Sequence, residues 1–148
     1  MPSTHLSLHI HVIFATKDRQ PWIAPEWRPR LHAYLGGVLS EMEAIPEGIG
    51  GVADHVHALI GFKATHCMAD VMRNLKRSSS EWVHRTIGIP GFAWQEGYGA
   101  FSVSASDRDQ VLRYIGAQEE RHRVRTFEEE YRMFLTKTGA PFDPRYID

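Results

Sequence analysis

The apolar residues of this chain change their spacing in a fixed order, and that order limits the fold more than any single residue does. Residues 6–14 (Leu-Ser-Leu-His-Ile-His-Val-Ile-Phe) are rich in β-branched and aromatic side chains and read as a first strand. A polar connection with Lys17, Arg19, Pro21 and Pro25 follows. Over 26–42, Leu31, Tyr34, Leu35, Val38, Leu39 and Met42 recur at helical spacing. Pro46, Gly48, Gly50 and Gly51 surround a short second strand, and 54–62 (Asp-His-Val-His-Ala-Leu-Ile-Gly-Phe) reads as a central third one. Helical spacing returns over 68–87 through Val71, Met72, Leu75, Trp82 and Val83. A glycine-marked loop over 88–99 leads to a fourth strand at 100–104. Ser106, with Asp109 three residues on, is the expected cap of a third helix bearing Val111, Leu112 and Ile115. A last helix over 126–137 sets Glu128, Glu129 and Glu130 against Phe127, Tyr131, Phe134 and Leu135, and 141–148 reads as a tail.

Strand-helix-strand-strand-helix-strand is the split βαβ pattern. The expected class is α+β: a ferredoxin-like or RRM-like antiparallel sheet, helices packed on one face, the other face free for a site. At 148 residues the chain is expected to form one domain over 1–148. No apolar run reaches the roughly 18 residues that cross a bilayer, and the opening Met-Pro-Ser-Thr-His lacks the pattern of a secretory signal. Cys67 stands alone, which excludes an intrachain disulfide and a thiolate metal cluster. These observations lead to the expectation of a cytoplasmic protein with no membrane partner. The net charge of -1 argues against a general polyanion binder. Any nucleic acid must be held by a local basic patch or through a metal.

His55 and His57 flank Val56, and on a strand residues i and i+2 leave the same face. Two such imidazoles either grip one divalent ion or form half-buried hydrogen bonds, and the triplet alone leaves both readings open. Tyr114 and Gln118 stand one helical turn apart on the third helix. There they are a rim tyrosine and a surface amide, or, if that helix faces the open side of the sheet, a nucleophile beside a hard oxygen ligand. His9 and His11 repeat the alternation on the first strand, with a structural or supporting role expected, more so for His11. Asp54 has two roles open to it, orienting a histidine or capping the start of the strand. His66 and His122 are expected in solvent, and Tyr98 in loop packing or base stacking.

Together these residues resemble the single-tyrosine HUH transposases of small insertion sequences, the group that includes the REP-associated tyrosine transposases. Residues 10–17 (Ile-His-Val-Ile-Phe-Ala-Thr-Lys) are similar to the family's first strand, 54–57 (Asp-His-Val-His) to its histidine motif, 94–102 to the segment before its last strand, and 111–120 to its catalytic helix. The likeness runs over nearly the whole chain in the family's order. One departure is Ala53, where members carry proline ahead of the Asp-His pair.

The resemblance implies an enzyme that nicks and rejoins single-stranded DNA through a 5′-phosphotyrosine, without ATP. Tyr114 would be the nucleophile, and His55, His57 and Gln118 would hold magnesium or manganese. It further implies a hairpin-bearing DNA strand as partner and a homodimer. Asp54 and His11 would support the ligands. Lys17, Arg19, Arg73, Lys76, Arg77 and Arg113 are the expected DNA contacts, with Arg121, Arg123 and Arg125 near the catalytic helix. Trp22, Trp27, Trp94 and Phe101 either stack on bases or fill the core. Two other functions fit parts of the pattern. One is a domesticated binder of structured nucleic acid that does not cut, and the other is a metal-dependent nucleotide phosphohydrolase.

Overall fold

The computed structural model describes residues 3–122 and 126–140. Four strands, β1 (His9–Ala15), β2 (Ile45–Gly51), β3 (His55–Gly61) and β4 (Gly99–Val103), form one antiparallel sheet in the order β2-β3-β1-β4. Helices α1 (Arg28–Glu41) and α2 (Met68–Trp82) supply the two crossovers. This is the expected ferredoxin-like arrangement. Helices α3 (Arg108–Gly116), α4 (Gln118–Arg121) and α5 (Phe127–Thr138) follow the sheet. Among the described residues no helix is long and apolar enough to cross a membrane.

Strand parity divides the molecule. Val12, Phe14, Val56, Ala58 and Ile60 point to one face, where they pack with Leu31, Leu35 and Leu39 of α1 and Val71, Met72 and Leu75 of α2. Each fully buried Leu or Ile contributes roughly 1.5–3 kcal/mol. Trp27 and Trp94 are buried in this core and Trp22 packs against it. Trp94 donates its indole N–H to Ser79 Oγ at 2.9 Å. These tryptophans are core residues, and so is Phe101 on the other face with Ile13, Ala15, Phe127 and Leu135.

The second face takes α3, and the glycines of β2 admit it. A Cβ on Gly50 would stand 2.3 Å from the Ile115 carbonyl oxygen, and one on Gly48 would stand 2.5 Å from Leu112 Cδ2. Glycine inside a strand here marks a close approach by another backbone. Ala53 makes the turn into β3 without a proline, its carbonyl accepting from the Ile23 N–H at 3.0 Å.

Three helix boundaries differ from expectation. Helix α1 starts at Arg28 rather than residue 26, with Pro29 supplying the preset φ of a first turn. Helix α2 ends at Trp82 and runs into a wider turn over 83–87, closed by Gly88 at φ +88°. Helix α3 is not capped by Ser106, because a 3-10 turn (Ala105–Asp107) shifts its start to Arg108 and the Ser106 hydroxyl bonds Ser104 instead. The start of α5 is capped by Thr126, whose hydroxyl accepts from the Glu129 N–H at 3.2 Å. The expected tail, 141–148, lies outside the described residues.

Candidate active site

The same parity that buries Val56 among the helices sends His55 and His57 to the opposite face, both fully buried. Each imidazole is anchored through its inner nitrogen. His55 Nδ1 donates to Asp54 Oδ1 at 2.8 Å, and His57 Nδ1 lies 2.8 Å from His11 Nε2 on the neighbouring strand. Asp54 thus orients a histidine, and His11, buried, supports the other. His9 turns instead to Glu47 at 2.6 Å, a structural contact at the sheet's edge that also takes Arg108. With Nδ1 held, the two Nε2 atoms face a common point.

Four side chains meet them there. Gln118 Oε1 is 3.1 Å from His55 Nε2. The Glu130 carboxylate divides its oxygens: Oε1 lies 2.9 Å from His57 Nε2, 3.2 Å from His122 Nε2 and 3.5 Å from His55 Nε2. Its Oε2 accepts from the Gln118 amide at 3.0 Å and from the Tyr114 hydroxyl. Tyr114 therefore shares one carboxylate with the imidazoles of its own chain. Phe127 stacks on His55 at 4.5 Å, and Phe134 meets the edge of the His11 ring at 5.0 Å, closing the site with α5.

Tyr114 and Gln118 reach the site by a different route from the one expected. Helix α3 ends at Gly116, Ala117 leaves helical geometry (φ −100°, ψ 15°), and Gln118 opens the separate α4. The interruption retains the pairing because the Ala117 N–H still bonds the Arg113 and Tyr114 carbonyls. Arg28 then fixes α4 from the far end, donating to Glu119 at 2.9 Å.

Electrostatics follow from burial and the carboxylates. Burial holds His57 down at about 4 and His11 at about 3, so both are neutral. Burial opposes charge on His55 as well, but the hydrogen bonds to Asp54 and Glu130 raise it to about 9. An imidazolium caught between two carboxylates marks a place that favours a cation. Glu130 is held far below the usual carboxylate range; burial pushes the other way, and the contacts from His122, His55 and His57 win. Burial, followed by the Glu130 carboxylate, lifts Tyr114 well above the ordinary phenol range.

His55, His57, His122 and Glu130 each place one ligand atom within 4.8 Å of the others, with Gln118 Oε1 alongside. Imidazole nitrogens with carboxylate and amide oxygens suit a small divalent cation such as magnesium or manganese. The donor chemistry fits such an ion.

Two of these residues were not expected in the site. His122 is tied to Glu130 rather than solvated, and it stands one turn after Gln118 as Gln118 stands after Tyr114. Glu130 is buried rather than part of an acidic outer face. It falls three residues after Phe127 and four before Phe134, on the apolar stripe of α5, and an acid in that position is the signal that would have found it. His66 is likewise engaged, its Nε2 2.7 Å from the Met42 carbonyl.

The expected DNA contacts separate. Lys17 is exposed, and Arg19 reaches Glu128 near the start of α5 at 4.0 Å. Arg113 is exposed on α3. Lys76 is corrected: its ammonium binds the carbonyls of Gln95, Glu96 and Gly97 at 2.6–3.0 Å, and burial lowers it to about 8. Arg73 and Arg77 are exposed but lie on α2, behind the sheet from Tyr114. Tyr98 packs against the core under Lys76. Arg121 lies over the Tyr114 ring at 4.2 Å, while Arg123 and Arg125 lie outside the described residues.

Comparison with known proteins agrees with this fold. A chain from Deinococcus radiodurans R1 solved as a candidate transposase superposes with a TM-score of 0.64 at 24% identity, over 80% of this chain and 96% of that one. A REP-associated tyrosine transposase bound to a REP hairpin superposes with a TM-score of 0.60 at 12% identity, over 82% of this chain and 74% of the other. A sequence search among curated proteins finds no match. The family described as "Transposase IS200 like" matches residues 4–118, from β1 to Gln118. The chain therefore belongs to the IS200-like transposases, enzymes that cut DNA.

Proposed function

We propose that this transposase nicks and rejoins single-stranded DNA with Tyr114 as nucleophile and a divalent cation held by His55, His57 and Gln118. The observation that carries the reading is the meeting of the Tyr114 hydroxyl, the Gln118 amide and both imidazoles around the single carboxylate of Glu130, with His55 at 3.5 Å. Contact between Tyr114 and this ligand set within one chain supports a tyrosine that acts at its own chain's site.

Magnesium or manganese there would supply Lewis-acid stabilisation of the charge that develops on the phosphoryl oxygens. The protein's own residues do the rest. Tyr114 attacks phosphorus, the new O–P bond forms as the bond to the 3′-oxygen breaks, and the phenol's proton passes through solvent to the departing 3′-oxygen. The phosphotyrosine conserves the ester, and reversal by a 3′-hydroxyl rejoins the strand without an external energy source. Asp54 and His11 hold the imidazoles in place, and Glu130 and His122 are near enough to complete the ligand set. For His57 to ligate through Nε2, its proton moves to Nδ1 and His11 Nε2 becomes the acceptor. The His11–His57 contact serves either tautomer.

One tyrosine makes one cut, so excising a segment calls for two sites, which a homodimer would supply. The fold neighbour bound to a REP hairpin supports a hairpin-bearing strand as substrate. The test incubates the protein with a labelled single strand carrying a hairpin, plus manganese, and resolves the products on a denaturing gel. The parent should yield a protein–DNA adduct. Tyr114→Phe should bind the strand and yield none, and an adduct persisting in that variant would remove Tyr114 from the role.

A further inference from the structure

The route by which a strand reaches Tyr114 follows from which face of the sheet each cation occupies. The basic helix α2 buries Val71, Met72 and Leu75 on the face opposite His55 and His57. A strand held there has the sheet between itself and Tyr114. The cations of α2 are also occupied: Arg73 pairs with Asp70 at 3.0 Å, Arg77 donates to Asn74 at 2.8 Å, and Lys76 is spent on backbone carbonyls.

On the correct face a groove of about 960 Å³ opens between α3 and α5, and Tyr114 lines it. Arg113, Arg121 and Lys137 line it too, all three exposed. Among the described residues no ion pair or side-chain hydrogen bond holds the Arg113, Arg121 or Lys137 head groups, and Arg121 lies over the Tyr114 ring at 4.2 Å. Two acids share the lining, Asp107 near the start of α3 and Glu130, whose carboxylate is turned inward to the histidines. Met133, 51% exposed, offers an apolar surface.

We infer that this groove is the channel for a single DNA strand, with phosphates on Arg113, Arg121 and Lys137 and a base against Met133. A duplex carries its phosphates on a convex cylinder and cannot lower one between two helices to Tyr114. A single strand can, and cations interleaved with an apolar wall are what such a strand requires. The inference rests on Tyr114 being the nucleophile, and its test is a binding measurement that stands apart from cleavage.

The probe is a fluorescein-labelled single strand of mixed sequence, titrated by anisotropy over a range of salt concentrations without divalent metal. Phosphate contacts are indifferent to sequence, and each one lost lowers the salt slope of a single strand by about 0.7. The Arg113→Gln/Lys137→Gln protein should lose about 1.4 from that slope and bind roughly tenfold more weakly at low salt. Arg73→Gln/Arg77→Gln should keep the parental slope. Matching melting temperatures establish that both variants are folded. The inference is overturned if the groove variant keeps the parental slope, if the α2 variant loses it instead, or if the parent binds no single strand at low salt. A groove-dependent slope in a protein that never forms an adduct would refute Tyr114 as nucleophile and leave the channel standing.

Discussion

Replacing Gly50 by alanine tests whether the seat of α3 on β2 sets the position of Tyr114, the proposed nucleophile. Gly50 is the cross-strand partner of His57, so whatever covers Gly50 stands directly beside the histidine pair. An added Cβ would meet the Ile115 carbonyl oxygen at 2.3 Å, its carbon at 3.1 Å and its Cγ2 at 3.0 Å. Ordinary contact begins near 3.4 Å, so the backbone of α3 must retreat by about 1 Å. The atom in the way is backbone, not the end of a flexible side chain, and overpacking of that kind costs about 2 kcal/mol. For a chain of this size that lowers the melting temperature by roughly 4–8 °C. Ile115 follows Tyr114 directly and precedes Gln118 by three, so the displacement reaches both. A shift of about 1 Å in a reacting group is worth about a hundredfold in rate. The assay is a thermal melt together with the initial rate of adduct formation on a hairpin-bearing strand with manganese. Gly37→Ala is the opposite-signed control: it lies within α1 with nothing within 4 Å of its Cβ, and alanine there should stabilise by about 0.5–1 kcal/mol. The reasoning fails if Gly50→Ala melts within about 1 °C of the parent and reacts at the parental rate.

His32 has a buried Nε2 without a partner among the described residues, and burial followed by the nearby Arg28 lowers it from 6.5 to about 4. Between those values the unfolded chain binds the proton and the folded one does not, so stability falls as pH drops from 6.5 towards 4. Because solvent still reaches part of the ring, the loss comes to about 2 kcal/mol rather than the full value of the shift. His32→Leu should flatten that part of the urea-midpoint profile, and an unchanged slope would show the ring is not the cause. Asp54→Asn keeps the shape of the contact to His55 but removes its charge, and manganese affinity by calorimetry should fall roughly ten- to a hundredfold. Parental affinity in that variant would leave Asp54 with no part in holding the ligand.

The sheet and the paired histidines were legible because strand parity is a strict rule: once Val56 is apolar and inward, His55 and His57 share the other face. The site's unexpected members carry weaker signals. Ala117 itself favours helix, and the one local sign that α3 ends there is Gly116 before it. Glu130 sits in a run of three glutamates whose neighbours are solvated, and only its phase relative to Phe127 and Phe134 separates it from them. His122 could be placed only once α4 was known to turn back over β3.

The cations of α2 teach a different lesson, because the information needed to place them was in the chain. Arg73 and Arg77 form a compact basic face on an amphipathic helix, and that pattern tells which side of the helix is wet. It says nothing of which side of the sheet the helix covers. That second fact follows from two rules applied together. Right-handed crossovers place α1 and α2 on one face of the sheet, and their apolar stripes must meet the apolar parity of the strands, which is that of Val12, Phe14 and Val56. The histidines hold the opposite parity, so the two helices of the crossovers are excluded from their surroundings whatever charges they carry. Only elements after β4 are left to bring the proposed nucleophile, third ligand and phosphate-binding cations to His55 and His57. Tyr114, Gln118, Glu130, Arg113 and Lys137 all come from that C-terminal third. On this sheet the histidine strand is therefore fixed by the parity of β3, and the proposed nucleophile and third ligand come from the helical segment after β4.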